Sequence, residues 1–206
     1  MADQVDQPKR NFLYPKATWE RVAQTEDVYG AICHGWDKAR FETHPESLFF
    51  YADCQRDAVV VDLGCGIGRV ARFVAPKVAR YIGLDYAAAM VERAREYNAG
   101  LPNVEFIESD TLAVLPDESA DRIVSEQVFI HCTQEQQLRY LGEAYDVLKP
   151  GGLLLASMPH VEHYVNGLEP CELVNQLAGY RSITTQPCGL TFLLKARKAE
   201  ADGGTP

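Results

Sequence analysis

Short apolar runs alternate with stretches of helical periodicity from residue 58 onward. Five runs have the length and aliphatic content typical of buried strands: 58–62, 81–84, 104–107, 123–124 and 153–157. The helices predicted between and after them are 69–75, 87–97, one capped by Thr133 and Gln136, and 171–178, with a final strand pair at 182–185 and 191–194. Strands that alternate with helices predict an α/β protein, with a mostly parallel sheet and helices on both faces.

The part of the chain before residue 58 has a different character. Trp19, Val22 and Tyr29 fall on one face of a helix predicted over 18–32. The ends, 1–11 and 199–206, are polar and non-periodic, and we expect both to be disordered tails. The predicted organisation is one domain over 1–206, in which 12–57 form a helical cap over the active site and 58–198 form the core.

Composition and charge exclude several classes of protein. An apolar content of 47% and a charged content of 24% are those of an ordinary globular protein. A net charge of -9 without a basic run disfavours nucleic acid as a partner, and no apolar stretch is long enough to span a membrane. Six cysteines without a CxxC pair or a preceding secretory leader predict reduced thiols in a cytoplasmic protein. Because His160-x-x-His163 lacks a clear third ligand, no metal site is predicted.

A glycine-rich loop, Gly64-Cys-Gly66-Ile-Gly68, follows the first core strand and is typical of several nucleotide-binding classes. The dinucleotide fingerprint requires a small residue where this chain has Arg69, and no Walker lysine follows the loop. Asp62 beside the loop would repel a pyrophosphate but suits a ligand that carries an ammonium and a sulfonium. Asp85, at the end of the next strand, can accept both hydroxyls of a ribose.

Four segments between residues 58 and 157 together resemble one enzyme family. They are Val60-Val-Asp62-Leu-Gly64-Cys-Gly66-Ile-Gly68-Arg69, Gly83-Leu-Asp85-Tyr86, Glu108-Ser-Asp110-Thr111-Leu112 and Val147-Leu-Lys-Pro150-Gly151-Gly152. In order and spacing they resemble the motifs of small, single-domain class I S-adenosylmethionine-dependent methyltransferases. The resemblance implies a Rossmann-like fold with a seven-stranded, mostly parallel sheet and an antiparallel final strand. It also implies S-adenosyl-L-methionine as cofactor and S-adenosyl-L-homocysteine as product.

The resemblance assigns a role to each cofactor-binding residue. It places Gly64 and Gly66 behind the methionine part of the cofactor and Asp62 at its ammonium. The remaining roles are Asp85 on the ribose, Tyr86 and Met90 against the adenine, Asp110 on the adenine amino group, and Thr111 and Leu112 along the adenine ring.

The Gly-Ile-Gly-Arg form of the loop is similar to that of small enzymes that methylate amines, including protein α-N-terminal methyltransferases. By that similarity, Arg69 pairs with the cofactor carboxylate and Glu126 touches the methionine part. This group keeps an acidic residue just after strand five, where the present chain has Met158-Pro159-His160. The departure argues against a protein N-terminus as substrate.

The predicted function is methyl transfer to an oxygen or nitrogen of a small molecule. His131 is the candidate general base, since it follows strand four and an ordinary histidine pKa suits proton removal at neutral pH. Tyr14, Trp19 and His160 are predicted to bind the acceptor, although the two aromatic residues could instead attach the cap to the sheet. Two alternatives stay open, namely a cofactor-binding protein or partner subunit without activity, and an enzyme that uses the cofactor for other chemistry. The protein is expected to be a monomer or a homodimer.

Overall fold

The computed structural model describes residues 8–32, 37–43, 54–188 and 190–200. Its centre is a seven-stranded sheet in the order β3-β2-β1-β4-β5-β7-β6. The strands are β1 (Val59–Leu63), β2 (Arg80–Asp85), β3 (Val104–Glu108), β4 (Ala120–Ser125), β5 (Leu148–Pro159), β6 (Tyr180–Cys188) and β7 (Thr191–Lys198). The first five are parallel, and β7 pairs antiparallel with both β5 and β6. The predicted mixed sheet, with its antiparallel last strand, is confirmed.

The strand order reverses beside β1, which lies between β2 and β4. In register, Asp62 of β1 is opposite Gly83 of β2 and Val124 of β4, so the carboxyl ends of the three strands lie together. A sheet of this kind leaves a crevice outside the carboxyl ends of its strands at the point of reversal. The fold therefore brings the loops after β1, β2 and β4 to one place.

Helices cover both faces of the sheet. They are α1 (Lys16–Ala23), α2 (Val28–Ile32), α3 (Lys38–Thr43), α4 (Ala71–Val74), α5 (Ala88–Tyr97), α6 (Gln134–Val147) and α7 (Pro170–Gln176), with 3-10 turns at Ala75–Lys77, Leu112–Val114 and Phe129–His131. The capping box that predicts the start of α6 is present, because the Thr133 side chain accepts from the Gln136 backbone and the Gln136 side chain from the Thr133 backbone. None of the described helices combines the length and the apolar character needed to cross a membrane.

Three apolar clusters form the core. One packs α6 and α7 against one face of the sheet around Ile123 and Leu141, and a second packs α4 and α5 against the other face around Val60 and Ala94. The third joins α1, α2 and α3 to α5, with Met90 buried at its centre. The amino-terminal segment is thus attached to the core by apolar packing on α5.

The single helix predicted over 18–32 is wrong, because the chain turns after Ala23 and resumes as α2 at Val28. Polar side chains make the break: the Thr25 hydroxyl donates to the Val22 carbonyl, and the Asp27 carboxylate accepts from the Gly30 backbone N–H. Such local bonds compete with helical ones. Arg93 of α5 then donates to the exposed carbonyls of the break.

The predicted tails lie partly outside the described residues, as does part of the predicted cap. Within the stretch 1–11, Arg10 is described, and its backbone exchanges hydrogen bonds with His163 and Val165. At the other end, Ala199 accepts from the Gly151 backbone N–H. The described residues nearest the two ends are therefore held by backbone hydrogen bonds to the rest of the domain.

Candidate active site

A cavity of about 820 Å³ opens at the carboxyl ends of β1, β2 and β4. Its size suits a cofactor together with a small acceptor. The amino-terminal segment, the loops after β1 and β2, and the segment after β4 form most of its wall, and α5, α6 and the loop after β3 add a few residues. Ten of the predicted site residues line it, namely Tyr14, Trp19, Asp62, Gly64, Gly66, Arg69, Tyr86, Met90, Glu126 and His131.

The glycine loop brings bare backbone to the cavity. Gly64 and Gly66 have φ angles of +75° and +54°, which side chains rarely adopt. A Cβ on Gly64 would lie 2.3 Å from the Val128 side chain, whereas a Cβ on Gly66 would meet nothing within 4 Å. Gly64 is therefore required for packing, and Gly66 opens the loop toward a ligand. The backbone N–H groups of Gly64 and Cys65 donate to the Leu84 carbonyl, which fixes the loop on β2.

Asp62 is a buried carboxyl at the end of β1 that lines this cavity. It accepts a hydrogen bond from the Tyr81 hydroxyl. Burial raises the pKa of Asp62 to about 7; the charges of Glu126 and Asp85 also raise it, while the Tyr81 bond and Arg69 lower it. A cationic group bound beside Asp62 would stabilise the ionised carboxylate, so this position favours a positively charged ligand.

Asp85 ends β2 and holds the glycine loop. Its two carboxylate oxygens accept from the backbone N–H groups of Gly66, at 3.0 Å, and Ala87, at 2.9 Å. Burial raises its pKa to about 6, while both backbone bonds lower it. Asp85 does not line the cavity itself but lies between two residues that do, Gly66 and Tyr86. Its position is compatible with the predicted ribose contact.

Arg69 and Glu126 face each other across the cavity wall. The guanidinium lies 3.7 Å from the Glu126 carboxylate, and it stacks over the Phe41 ring at 5.4 Å from the ring centroid. Both charged side chains are largely covered, with 12% and 22% of their surface exposed. The pair places a planar cation, suited to bidentate binding of a carboxylate, directly after the glycine loop.

The segment after β3 differs from the predicted arrangement, because Asp110, Thr111 and Leu112 are not part of the cavity wall. Asp110 is exposed, and the Leu112 side chain is fully buried in the core. The Thr111 hydroxyl and the Leu112 backbone N–H both donate to Glu143 of α6. At this end the wall consists instead of Tyr86, Met90, Ser109 and Lys16.

Lys16 is a wall residue that sequence reasoning missed. Its ammonium lies 2.7 Å from the Glu108 carboxylate at the end of β3 and so connects the amino-terminal segment to the sheet. The pKa of Lys16 is raised, chiefly by this hydrogen bond. Because the two partners are 92 positions apart, no local pattern could reveal the contact.

Four aromatic rings, here called the ring cluster, meet beside the segment after β4: Phe12, Tyr14, Trp19 and His131. The His131 ring lies 5.2 Å from that of Tyr14, stacked, and 5.0 Å from that of Trp19, edge to face. His131 Nδ1 lies 2.8 Å from the Phe12 carbonyl oxygen. Since a carbonyl only accepts, Nδ1 carries the proton, and Nε2 is the basic nitrogen of the neutral ring.

His160 does not join the predicted acceptor site. It lies in a turn after β5, where its Nδ1 accepts from the Glu162 backbone N–H at 3.2 Å, and it is absent from the cavity wall. Among the described residues, a ring nitrogen of His160, a carboxylate oxygen of Glu162 and a ring nitrogen of His163 lie within 4.8 Å of one another, close enough to hold a metal ion together. Glu162 is thus a candidate for the third metal ligand that the His160-x-x-His163 spacing alone did not reveal.

Other wall residues were also missed. They include Leu13 and Phe41 of the amino-terminal segment, Gln127 and Cys132 after β4, and Gln136 and Tyr140 of α6. Gln127 has a φ of +58°, which is strained for a side-chain-bearing residue. Its backbone N–H donates to the Ser157 hydroxyl at 2.6 Å, which holds the sharp turn after β4.

Comparison with known proteins places this geometry in a family. A family model described as "Methyltransferase domain" matches residues 60–152. A carboxy-S-adenosyl-L-methionine synthase of Pseudomonas fluorescens is 33% identical over 166 residues, which are 73% of this chain and 67% of that protein. A trans-aconitate 2-methyltransferase of an Azoarcus species is 33% identical over 141 residues, 66% of this chain and 54% of that protein.

The fold is shared with solved structures. The N-methyltransferase NodS of Bradyrhizobium japonicum, solved with S-adenosyl-L-homocysteine, superposes with a TM-score of 0.69 at 17% identity, over 90% of this chain and 98% of that one. The chain spans about half the length of the Azoarcus relative, and it covers 38% and 32% of two other curated relatives. The family model, the synthase and the shared fold together show that the chain belongs to the class I S-adenosylmethionine-dependent methyltransferases.

Proposed function

We propose that this chain transfers a methyl group from S-adenosylmethionine to an oxygen or nitrogen of a small molecule. The observation that carries the proposal is the buried Asp62 carboxyl on the cavity wall beside the open backbone of Gly66. Burial costs an uncompensated carboxylate several kcal/mol, so a bound cation is favoured there. A pyrophosphate would be repelled at the same point.

The residues of the wall, together with Asp85 directly behind it, fit the cofactor. Asp62 would bind its ammonium, Arg69 its carboxylate and Asp85 its ribose, while Tyr86 and Met90 lie where they can cover the adenine. The Glu126 carboxylate keeps the Arg69 guanidinium oriented toward the cavity wall. In this assignment both charges of the amino-acid part of the cofactor have opposite partners.

When bound, the cofactor supplies an activated methyl group on sulfur, which a nucleophile displaces with release of S-adenosyl-L-homocysteine. The chain's own task is to orient the acceptor, exclude water and remove a proton. His131 is the residue we propose for proton removal, because its Nδ1–H is held by the Phe12 carbonyl and Nε2 is therefore basic. The packed rings of Tyr14 and Trp19 hold the imidazole in place.

A second candidate function is use of the same cofactor for other chemistry. The observation that favours it is the match to a protein named carboxy-S-adenosyl-L-methionine synthase, which covers 67% of that relative. The two functions differ in their products. Methyl transfer releases S-adenosyl-L-homocysteine, whereas a synthase of that name yields a modified cofactor.

The test is isothermal titration of the full chain with S-adenosyl-L-methionine, followed by mass spectrometry of a metabolite extract incubated with isotopically labelled cofactor. We expect the wild-type chain to bind S-adenosyl-L-methionine. Asp62→Asn should bind it roughly a hundredfold more weakly, because a buried charge pair is lost. The matched control, Asp117→Asn, alters an exposed carboxylate outside the cavity and should bind normally. The extract should gain a labelled methyl product.

Tight binding of a nicotinamide or triphosphate nucleotide, with no binding of S-adenosyl-L-methionine, would contradict the proposal. A modified cofactor without S-adenosyl-L-homocysteine would support the second candidate instead. A cytoplasmic location and a monomeric or homodimeric state stay predictions from the sequence.

A further inference from the structure

The mouth of the cavity beside the ring cluster exposes apolar surface. Leu13 and Tyr14 are each 38% exposed, and both belong to the cavity wall. A ligand that covers such exposed apolar side chains gains binding free energy, about 25 cal/mol for each Å² of apolar surface buried. This mouth therefore favours a ligand with apolar surface of its own.

The charged side chains of the described wall lie away from the ring cluster or are paired. Lys16 is bound to Glu108 and Arg69 to Glu126, and Asp62 lies under the glycine loop. The described wall residues that follow His131 are neutral: Cys132, Thr133, Gln136 and Tyr140. A carboxylate or phosphate placed there would lose its hydration without meeting a cation from the described residues.

The rings themselves disfavour a cationic acceptor. A cation-binding cage needs aromatic faces that open onto a common space. Here Tyr14 stacks on His131 at 5.2 Å, and Trp19 contacts both rings edge to face, at 6.0 Å and 5.0 Å. The faces are thus partly covered by each other, and their free edges and remaining surface suit a flat, neutral ring.

We infer that the acceptor is an uncharged aromatic alcohol, a phenol by chemical class, which packs on Trp19 and Tyr14 and is methylated on its hydroxyl oxygen. The inference rests on the proposed function. His131 Nε2 takes the hydroxyl proton, and an oxygen electron pair forms the new bond to the donor methyl carbon. The electrons of the broken carbon–sulfur bond stay on sulfur, and the proton passes from the imidazolium to water.

Calorimetry on the full chain saturated with S-adenosyl-L-homocysteine tests this inference by binding alone. The probes are 2-naphthol, its carboxylate analogue 6-hydroxy-2-naphthoate and its ammonium analogue 6-(aminomethyl)-2-naphthol. We expect 2-naphthol to bind at least roughly tenfold tighter than either charged analogue, because burying an unpaired charge is costly. With S-adenosyl-L-methionine, 2-naphthol should yield its methyl ether.

Three variants sharpen the test. Trp19→Leu should weaken 2-naphthol binding roughly tenfold and leave the affinity for S-adenosyl-L-homocysteine unchanged, which also shows that the variant is folded. Leu13→Arg should bring a cation to the mouth and improve binding of the carboxylate analogue. Ile183→Ala, which removes an exposed apolar side chain on β6, is the matched control and should change neither ligand.

Equal or tighter binding of a charged analogue overturns the inference, and so does binding of S-adenosyl-L-homocysteine without any of the three naphthols. Failure to bind S-adenosyl-L-methionine in the titration described under the proposed function overturns the proposed function instead. The two failures are therefore separate results of one series.

Discussion

The two ends of the cavity are built in different ways. At the end that we assign to the cofactor, here called the cofactor end, Asp62, Gly66 and Asp85 lie at the tips of adjacent strands, within one βαβ unit. At the acceptor end, Tyr14 and Trp19 meet His131 across more than a hundred positions of the chain. The first arrangement follows from strand and loop geometry, whereas the second depends on how α1 packs on α5.

The contact between α1 and α5 is itself specific. The Glu20 carboxylate accepts from the backbone N–H groups of Ala88 and Ala89, the first residues of α5, at 2.9 Å and 3.0 Å. A carboxylate at the start of a helix satisfies free N–H groups and interacts favourably with the positive end of the helix dipole. The Tyr86 hydroxyl also donates to the Tyr14 carbonyl, so the acceptor end is positioned from the loop that lines the cofactor end.

The largest effect is expected from a variant that changes the acceptor end and leaves the cofactor end intact. His131→Asn keeps a donor for the Phe12 carbonyl but removes the base, so we expect kcat for a hydroxyl acceptor to fall by about 10²–10⁴-fold. Affinity for S-adenosyl-L-homocysteine should stay the same. Steady-state kinetics and calorimetry measure the two quantities. A normal kcat in this variant would remove His131 from the chemistry and leave it a packing residue.

Two glycine variants change the cofactor end alone. Gly64→Ala places a methyl group against Val128 at a φ of +75° and should lower the free energy of unfolding by about 2–4 kcal/mol. Gly66→Ala meets no neighbour and carries only the backbone strain of its φ of +54°, about 1–2 kcal/mol, so it should lose less stability than Gly64→Ala yet bind cofactor poorly. Urea unfolding and calorimetry distinguish the two. Gly100→Ala, also in open space but without a positive φ, is the control.

The buried carboxyl also predicts how stability depends on pH. Because the folded-state pKa of Asp62, about 7, exceeds its ordinary value of 3.8, folding takes up a proton at intermediate pH. Its contribution to stability is complete at low pH and is lost as pH rises through about 7. Asp62→Asn, which can still accept from Tyr81, should therefore raise the melting temperature at pH 8 and raise it by a smaller amount at pH 5, which is still above the ordinary pKa of 3.8.

At pH 8 with saturating cofactor, the order of the two melting temperatures should reverse, and wild type should melt higher than Asp62→Asn. Only the wild-type carboxylate then gains a bound cation. Thermal melts of both proteins, with and without cofactor, provide the four values. A variant that is less stable than wild type at pH 8 without cofactor would show that Asp62 is not destabilised by burial.

The smallest effect is expected at the exposed link between the two ends. Lys16→Gln removes the ion pair with Glu108, in which both side chains are about half exposed. Exposed pairs contribute little and are screened by salt, so cofactor affinity should fall by no more than a few-fold and only at low ionic strength. A large loss that persists at high salt would give Lys16 a direct role in cofactor binding.

The difference between the ends also explains what the sequence could predict. The glycine loop after the first core strand and the family resemblance together predicted Asp62, Gly64, Gly66, Arg69 and Glu126 as site residues, and all five line the cavity. The strands and α5 were likewise predictable from local periodicity. The position of Leu112 was not, since its side chain turns into the core while Glu143 of α6 binds its backbone.

Other contacts, both local and distant along the chain, escaped sequence reasoning. The break between α1 and α2 depends on side chains of Thr25 and Asp27 that capture backbone groups, which helical periodicity does not record. Lys16 reaches the cavity only because α1 packs on α5. His160 follows strand five as expected, but the turn in which it lies keeps it off the cavity wall.

The proposed role of Asp62 requires that a cationic cofactor bind to a carboxyl that burial keeps partly protonated. Calorimetric titration with S-adenosyl-L-methionine at pH 7, repeated in buffers of different ionisation enthalpy, measures the protons released on binding. At a pKa of about 7, roughly half a proton should leave Asp62 when the cation binds, and Asp62→Asn should abolish that release. Binding without proton release, or release that persists in Asp62→Asn, would contradict the claim.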